Sequence, residues 1–236
     1  MAGLNGFLLI DKDPDWTSSD VVSKLRGILH EKRIGHAGTL DPMATGLLIV
    51  MIGKCTKASD VIMHRDKEYI AGIRFGIETD TQDITGTVLK ETAADVPREQ
   101  LEEAIQNYIG EIEQIPPMYS AVKIHGQKLY SIARKGGEVE REPRKIAVYS
   151  IDVLSGEKNE FLLDIRCSSG TYIRTLCHDI GRTVGCGACM SSLRRIRIGE
   201  ASVEDAHRIS EIRDEQFLIS EVLNVQYEES TGLRIL

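Results

Sequence analysis

No stretch of this 236-residue chain comes near the roughly 20 consecutive apolar residues of a membrane-spanning helix. The start, Met1-Ala2-Gly3-Leu4-Asn5, lacks the basic-then-apolar pattern of a secretory signal, so a cytoplasmic protein with no membrane association is expected. Cysteines number five, an odd count unsuited to a closed disulfide framework. A single C-x-x-C, Cys186-Gly187-Ala188-Cys189, has no second pair; joined by Cys177 and His178 it would supply four zinc ligands. Reduced, partly buried thiols are the expected state instead. The chain has neither the Lys-Ser/Thr of a phosphate-binding loop nor the G-x-G-x-x-G of a dinucleotide site, and no cofactor or metal is expected. Repeats and low-complexity tracts are also missing.

Strict alternation of strand and helix is absent as well, which points away from a parallel α/β fold and towards an α+β sheet with helices on its flanks. Phe7 to Ile10 and Leu47 to Ile52 read as buried strands. From Glu68 to Phe75 the pattern alternates, with Tyr69, Ala71, Ile73 and Phe75 on one side. Ser18, Ser19 and Asp20 are N-cap candidates for a helix that buries Val21, Val22, Leu25, Ile28 and Leu29. Pro97 opens a second helix, stopped by Gly110; strands at 146–154 and 161–167 flank a Ser-Gly turn, and Ser168-Ser169-Gly170 starts a third helix. The tail from Ile209 to Val225 reads as an acidic amphipathic helix.

A net charge of −7 is unusual for a protein that binds nucleic acid, but it is unevenly spread. Acid gathers in residues 91–115 and 200–236, whereas 116–199 is net basic, with Lys128, Arg134, Lys135, Arg141, Arg144, Lys145, Arg194, Arg195 and Arg197 available to meet phosphates.

The densest block is Gly35-His36-Ala37-Gly38-Thr39-Leu40-Asp41-Pro42-Met43-Ala44-Thr45-Gly46. Its glycines, proline and threonines break any helical or strand period, so a loop is expected here. It presents a histidine and a carboxylate ahead of an apolar run. The block resembles G-H-x-G-T-L-D-P-x-A-T-G, the signature of the TruB-type pseudouridine synthases, and matches it at every specified position. Seven further blocks extend the resemblance from about Leu4 to about Ala206. They are Asp11-Lys12 with Thr17-Ser18; Gly53-Lys54-x-Thr56-Lys57; Lys67-x-Tyr69; Thr79-Asp80-Thr81-x-Asp83-x-x-Gly86; Pro116-Pro117-x-Tyr119-Ser120-Ala121; and Ser169-Gly170-Thr171-Tyr172-Ile173-Arg174, with Leu193-Arg194-Arg195 and Gly199 closing the series. One departure stands out: the family's Lys-Pro-x-Gly is Lys12-Asp13-Pro14-Asp15 here.

The resemblance implies a pseudouridine synthase fold, a central mixed and largely antiparallel sheet flanked by helices. It implies isomerisation of the T-loop uridine at tRNA position 55, by base flipping and cleavage of the glycosidic bond. Asp41 is then the catalytic aspartate and Tyr172 the residue at the C5 proton, with Arg174 and Asp83 as the ion pair behind them. Tyr69 stacks on the flipped base, His36 fills the space it leaves, Leu193 lines the uracil pocket, and Lys12 and Lys57 join the substrate-binding set. The implied partner is the T-arm stem-loop of tRNA, with no protein partner and a monomeric enzyme. Residues 1–208 are expected to form the catalytic domain and 209–236 an acidic tail without the PUA domain of longer members. The alternatives are a guide-RNA-dependent rRNA pseudouridine synthase subunit, a non-catalytic tRNA-folding module, and a zinc or thiol-redox protein.

Overall fold

Apolar runs without alternation call for strands covered on both faces. The computed structural model, which describes residues 4–120, 122–124 and 126–212, has two such strands, Gly6–Lys12 and Thr45–Ile52. In chain order the elements begin with β1 (Gly6–Lys12), α1 (Ser18–Leu29), β2 (Ile34–Ala37), β3 (Thr45–Ile52), a 3-10 turn (Gly53–Ala58) and α2 (Ser59–Met63). They continue with β4 (Lys67–Phe75), β5 (Ile77–Thr79), β6 (Val88–Glu91), α3 (Arg98–Ile105), β7 (Gly110–Gln114), β8 (Lys123–Ile124), β9 (Gln127–Lys128) and α4 (Leu129–Ala133). Last come β10 (Arg144–Glu157), β11 (Glu160–Cys167), α5 (Ile173–Val184), β12 (Ala188–Ile198), β13 (Ala201–Ser202) and β14 (His207–Arg208). The chain divides into two compact units: one runs through Tyr69 and resumes at Arg194, and the other is Ile70–Leu193.

In the first unit β1 and β3 run antiparallel from Gly6↔Ile52 to Lys12↔Gly46, β14 lies parallel to β1, and β2 is antiparallel to β3. The last part of β12 runs parallel to β3, pairing Arg194 with Thr45 and Arg195 with Gly46. Leu8, Ile10, Leu48 and Val50 pack under Val21, Val22, Leu25 and Leu29 of α1. Phe7, Leu9, Leu47, Ile49 and Met51 face Cys55, Ala58 and Ile62 on the other side. Each buried side chain of this size contributes roughly 1.5–3 kcal/mol, which explains why short strands with few polar residues suffice. Gly46 is required: its φ is +97°, and a Cβ would meet the Arg195 carbonyl oxygen at 2.2 Å.

In the second unit the strand order is β12-β4-β11-β10-β7, with β10 antiparallel to both β11 and β7. Phe75 and Phe161 meet edge to face with centroids 6.1 Å apart. Helix α5 buries Ile173, Leu176, Cys177 and Ile180 and ends on Gly185 in the left-handed conformation. Helix α3 buries Leu101, Ala104 and Ile105. Two short ladders, β5 with β6 and β8 with β9, complete the unit. The architecture is α+β, as composition and pattern suggested.

The structure corrects several local expectations. The 35–46 block is not all loop: residues 34–37 form β2 and Thr45-Gly46 open β3, because antiparallel pairing with β3 overrides the weak strand propensity of glycine. Gly76 to Gly86 likewise contributes β5. The cap of α1 is Thr17, one residue before the expected set, in a reciprocal capping box with Asp20. Strand β10 runs on to Glu157, so the turn lies at Lys158-Asn159, with Lys158 at φ +59°, and not at Ser155-Gly156. Most of the expected helix from Ile209 to Val225 lies outside the described residues; Ile209–Glu211 form a turn. No helix among the described residues is long and apolar enough to cross a membrane.

Candidate active site

Asp41 sits half-buried in the loop that joins β2 to β3, and the backbone on each side of it is gripped by a buried side chain. On one side is Ser18, the first residue of α1 and 1% exposed. Its hydroxyl accepts the Leu40 N–H at 3.0 Å and donates to the Leu40 carbonyl at 3.4 Å. On the other side the Pro42 carbonyl accepts the Lys12 ammonium at 3.1 Å and the Asp15 N–H at 2.9 Å. The Asp41 carbonyl accepts the Ala44 N–H at 3.0 Å. A carboxylate whose flanking peptides are fixed in this way loses little entropy on meeting a reactive centre.

Two buried cations lie in the same unit. Lys12, fully buried, donates to the carbonyls of Trp16 at 2.7 Å, Asp13 at 3.0 Å and Pro42 at 3.1 Å. Its pKa falls from the ordinary 10.5 to about 8. Burial is the main cause; Asp41 opposes it most strongly, Asp13 and Asp15 less so, and Arg195 adds to the fall. Arg195, 2% exposed, donates to the carbonyls of Leu47 at 2.8 Å and Gly38 at 3.0 Å and shares a hydrogen bond with the Tyr69 side chain. Burial pushes its pKa down while Tyr69 pushes it up. The half-buried imidazole of His36 on β2 is driven towards its neutral form by burial first and by Arg195 second. Buried Lys12 acts on Asp41, and buried Arg195 on His36 and Tyr69, within this unit.

The second unit carries its own network. Asp83, 5% exposed, takes three hydrogen bonds on Oδ1, from Thr85 Oγ1 at 2.5 Å, Thr81 Oγ1 at 3.0 Å and the Thr85 N–H at 3.0 Å. Its Oδ2 lies 3.6 Å from the Arg174 guanidinium. Arg174 also donates to the Tyr119 carbonyl at 2.8 Å and the Thr81 carbonyl at 3.0 Å. Tyr172 is half-buried at the N-cap of α5, and Leu193 is buried in β12. Lys57 is exposed on the 3-10 turn and, among the described residues, takes part in neither network.

The family model for the "TruB family pseudouridylate synthase (N terminal domain)" matches residues 26–173, and that for the "tRNA pseudouridylate synthase B C-terminal domain" matches 174–229. The chain belongs to the TruB family. Proteins named tRNA pseudouridine synthase B resemble it over most of its length. The one from Alkaliphilus oremlandii is 46% identical over 210 residues, which is 89% of this chain and 70% of the relative. That from Clostridium tetani is 47% identical, covering 90% of this chain and 74% of the relative. That from Opitutus terrae is 48% identical, covering 86% and 85%. Among solved structures, a chain of a Cbf5-Nop10-Gar1 complex superposes with a TM-score of 0.68 at 33% identity over 87% of this chain. The present chain spans about half the length of that one, 52%.

Within the TruB signature, the departure at Lys12-Asp13-Pro14-Asp15 acquires a physical reading. Asp15, at the position where the family has glycine, adopts φ +63°, a left-handed conformation that aspartate tolerates better than most residues. The two acids lie close enough to Lys12 to favour its charge. Burial also removes two residues from the expected RNA-facing set, since Lys12 and Arg195 serve the Asp41 loop. Arg194 is committed to a two-pronged pair with Asp11 at 2.8 and 3.0 Å. The signal for Arg195 was its spacing of two from Leu193, which puts both on the inward face of one strand. The zinc alternative gains no support: burial raises the thiols of Cys177 and Cys189, the latter to about 11, and the described residues contain no cluster of three or more metal-ligating side chains.

Lys12 is expected to make the reaction sensitive to alkali. Once neutral, the amine loses its charge beside Asp41 and one of its three donated bonds, so the single-turnover rate is expected to fall as pH rises through about 8. Global stability should move the other way. Between about 8 and 10.5 the unfolded chain holds the proton and the folded chain has lost it, so this group makes the unfolding free energy rise with pH there. Lys12→Arg, whose side chain keeps its charge, should lack the descending limb at whatever activity it retains. A wild-type rate that stays flat from about pH 7 to 9 contradicts this assignment.

Proposed function

We propose that this TruB-family chain is a tRNA pseudouridine synthase that converts the T-loop uridine at position 55, acting as a monomer on the T-arm without a guide RNA. The observation that carries the reading is the gripped Asp41 loop seated on buried Lys12 and Arg195, within an intact family signature. A carboxylate held in this way suits glycosidic chemistry. As the N1–C1′ bond breaks, Asp41 either attacks C1′ or takes the 2′ proton to leave a glycal. The freed uracil turns so that C5 bonds to C1′, displacing the Asp41 carboxylate in the first path or regaining the 2′ proton from Asp41 in the second; the C5 proton then leaves and N1 takes a proton, and we assign the removal at C5 to Tyr172.

Water would hydrolyse the intermediate, so the pocket must exclude it. Tyr69, fixed through Arg195, is suited to stack on the extruded base, and neutral His36 can fill the gap in the RNA without charge repulsion from Arg195. Exposed Arg134, Lys135, Arg144 and Lys145 are cations available to contact phosphates. Relatives named for tRNA favour this reading over the guide-dependent one.

The test is tritium release from C5-labelled RNA. An isolated T-arm stem-loop should react nearly as fast as whole tRNA, with no added guide. Few neutralised phosphates should make the salt dependence shallow, each contact costing roughly 0.7–0.9 in the slope of log K against log salt. An inert stem-loop beside reactive tRNA, or dependence on a guide RNA, would sink the stand-alone reading.

A further inference from the structure

The hairpin of β2 and β3 opens at its loop end: its last paired residues are Ala37 and Ile49, and the loop that carries Asp41 lies beyond them. What closes that mouth is one side chain from far along the sequence. Arg195 Nη2 donates to the Gly38 carbonyl at 3.0 Å and Nε to the Leu47 carbonyl at 2.8 Å, contacts that span 157 and 148 residues. The Arg195 main chain pairs with Gly46 at the same place. Gly38 admits the guanidinium: its φ is +79°, and a Cβ there would stand 3.3 Å from Arg195 Nη1. The guanidinium also shares a hydrogen bond with the Tyr69 side chain. All of these residues belong to the first unit. A guanidinium only 2% exposed is costly to desolvate, and methionine would fill similar space without that cost. Packing alone does not account for a charge here; a rigid fork of donors that ties two carbonyls together does.

We infer that Arg195 is a positioning residue for Asp41: by tying the two stems of the loop together, it fixes where the carboxylate stands against the ribose. This rests on the synthase reading above. The grips of Ser18 on Leu40 and of Lys12 on Pro42 act inside the loop, on either side of Asp41. Arg195 acts at the two ends and so sets the span over which those grips work. Without it the loop would pivot on its stems, and a displacement of about 1 Å at a reacting group costs on the order of 10²-fold in rate.

The experiment compares wild type with Arg195→Lys and Arg195→Met in single turnover, with enzyme in excess over a T-arm stem-loop that carries either uridine or 5-fluorouridine at the target position. A C5 fluorine cannot leave as a proton does, so formation of the C5–C1′ bond is read by itself, by chromatography of the digested nucleosides. Arg195→Lys keeps the charge but has no fork to span both carbonyls, and should lose about 10-fold in rate; Arg195→Met should lose about 100-fold. The losses should be equal on the two RNAs, with affinity within about threefold of wild type. Rates are taken per molecule competent to bind RNA, so a variant that is merely less stable shows the wild-type rate. A wild-type rate in Arg195→Lys, a loss confined to uridine, or a loss confined to affinity overturns the inference. If Arg195→Met fails to fold, Arg195→Lys decides by the same three comparisons. A wild-type protein inert on the uridine RNA overturns the synthase reading instead.

Discussion

Asp41→Asn should reduce single-turnover isomerisation by at least about 10⁴-fold, equivalent to roughly 5.5 kcal/mol of lost transition-state stabilisation. Asparagine has the same shape but neither the charge nor the nucleophilicity that C1′ chemistry needs. The fold should survive, because the grips on the backbone of Leu40 and Pro42 stay in place in the variant. RNA affinity should stay within about threefold, since phosphate contacts supply most of it. The measurement is a filter-binding isotherm beside a tritium-release time course, with mass spectrometry to exclude deamidation back to aspartate. Turnover by protein that is verifiably asparagine would remove Asp41 from the chemistry.

The largest stability effect is expected from Arg174→Met. Arg174 and Asp83 are each 6% exposed in their side chains, and removal of the guanidinium strands a buried carboxylate. It also strips the Thr81 and Tyr119 carbonyls of a donor. Breaking one partner of such a pair costs about 3–5 kcal/mol, which for a chain of this size lowers Tm by roughly 10 °C. The three hydrogen bonds that Asp83 keeps on Oδ1 place the expectation towards the lower figure. Adding Asp83→Asn should return part of the loss, because the uncompensated charge is then gone. Urea titrations of the single and double variants provide the check; a single variant within about 1 kcal/mol of wild type would show that the pair contributes little.

Much of the site was legible because its chemistry lies in short runs. The signature around Asp41 marks the loop, and Thr17-Ser18 marks the start of α1, although which of these caps the helix and which grips Leu40 did not follow from the letters. Alternation in β4 placed Tyr69 inward, yet it could not name Arg195 as its hydrogen-bond partner. The strand runs of β1 and β3 and the apolar face of α1 were equally clear, since each is a local pattern of side-chain spacing.

What the sequence by itself determined was the family, the candidate carboxylate and the elements that local periodicity dictates. Only the tertiary structure decided which cations face solvent and which are drawn inside. Lys12 and Arg195 look alike to any count of basic residues, and Arg195 stood among the candidates for phosphate contact. Each is buried by pairings between distant segments, Lys12 opposite Gly46 in β3 and Arg195 beside that same glycine from β12. The physical reason is that desolvation and Coulomb energy depend on the atoms that surround a charge in space, and those atoms are distant in sequence, 30 residues away for the Lys12 bond to Pro42 and 148 and 157 for the Arg195 bonds to Leu47 and Gly38.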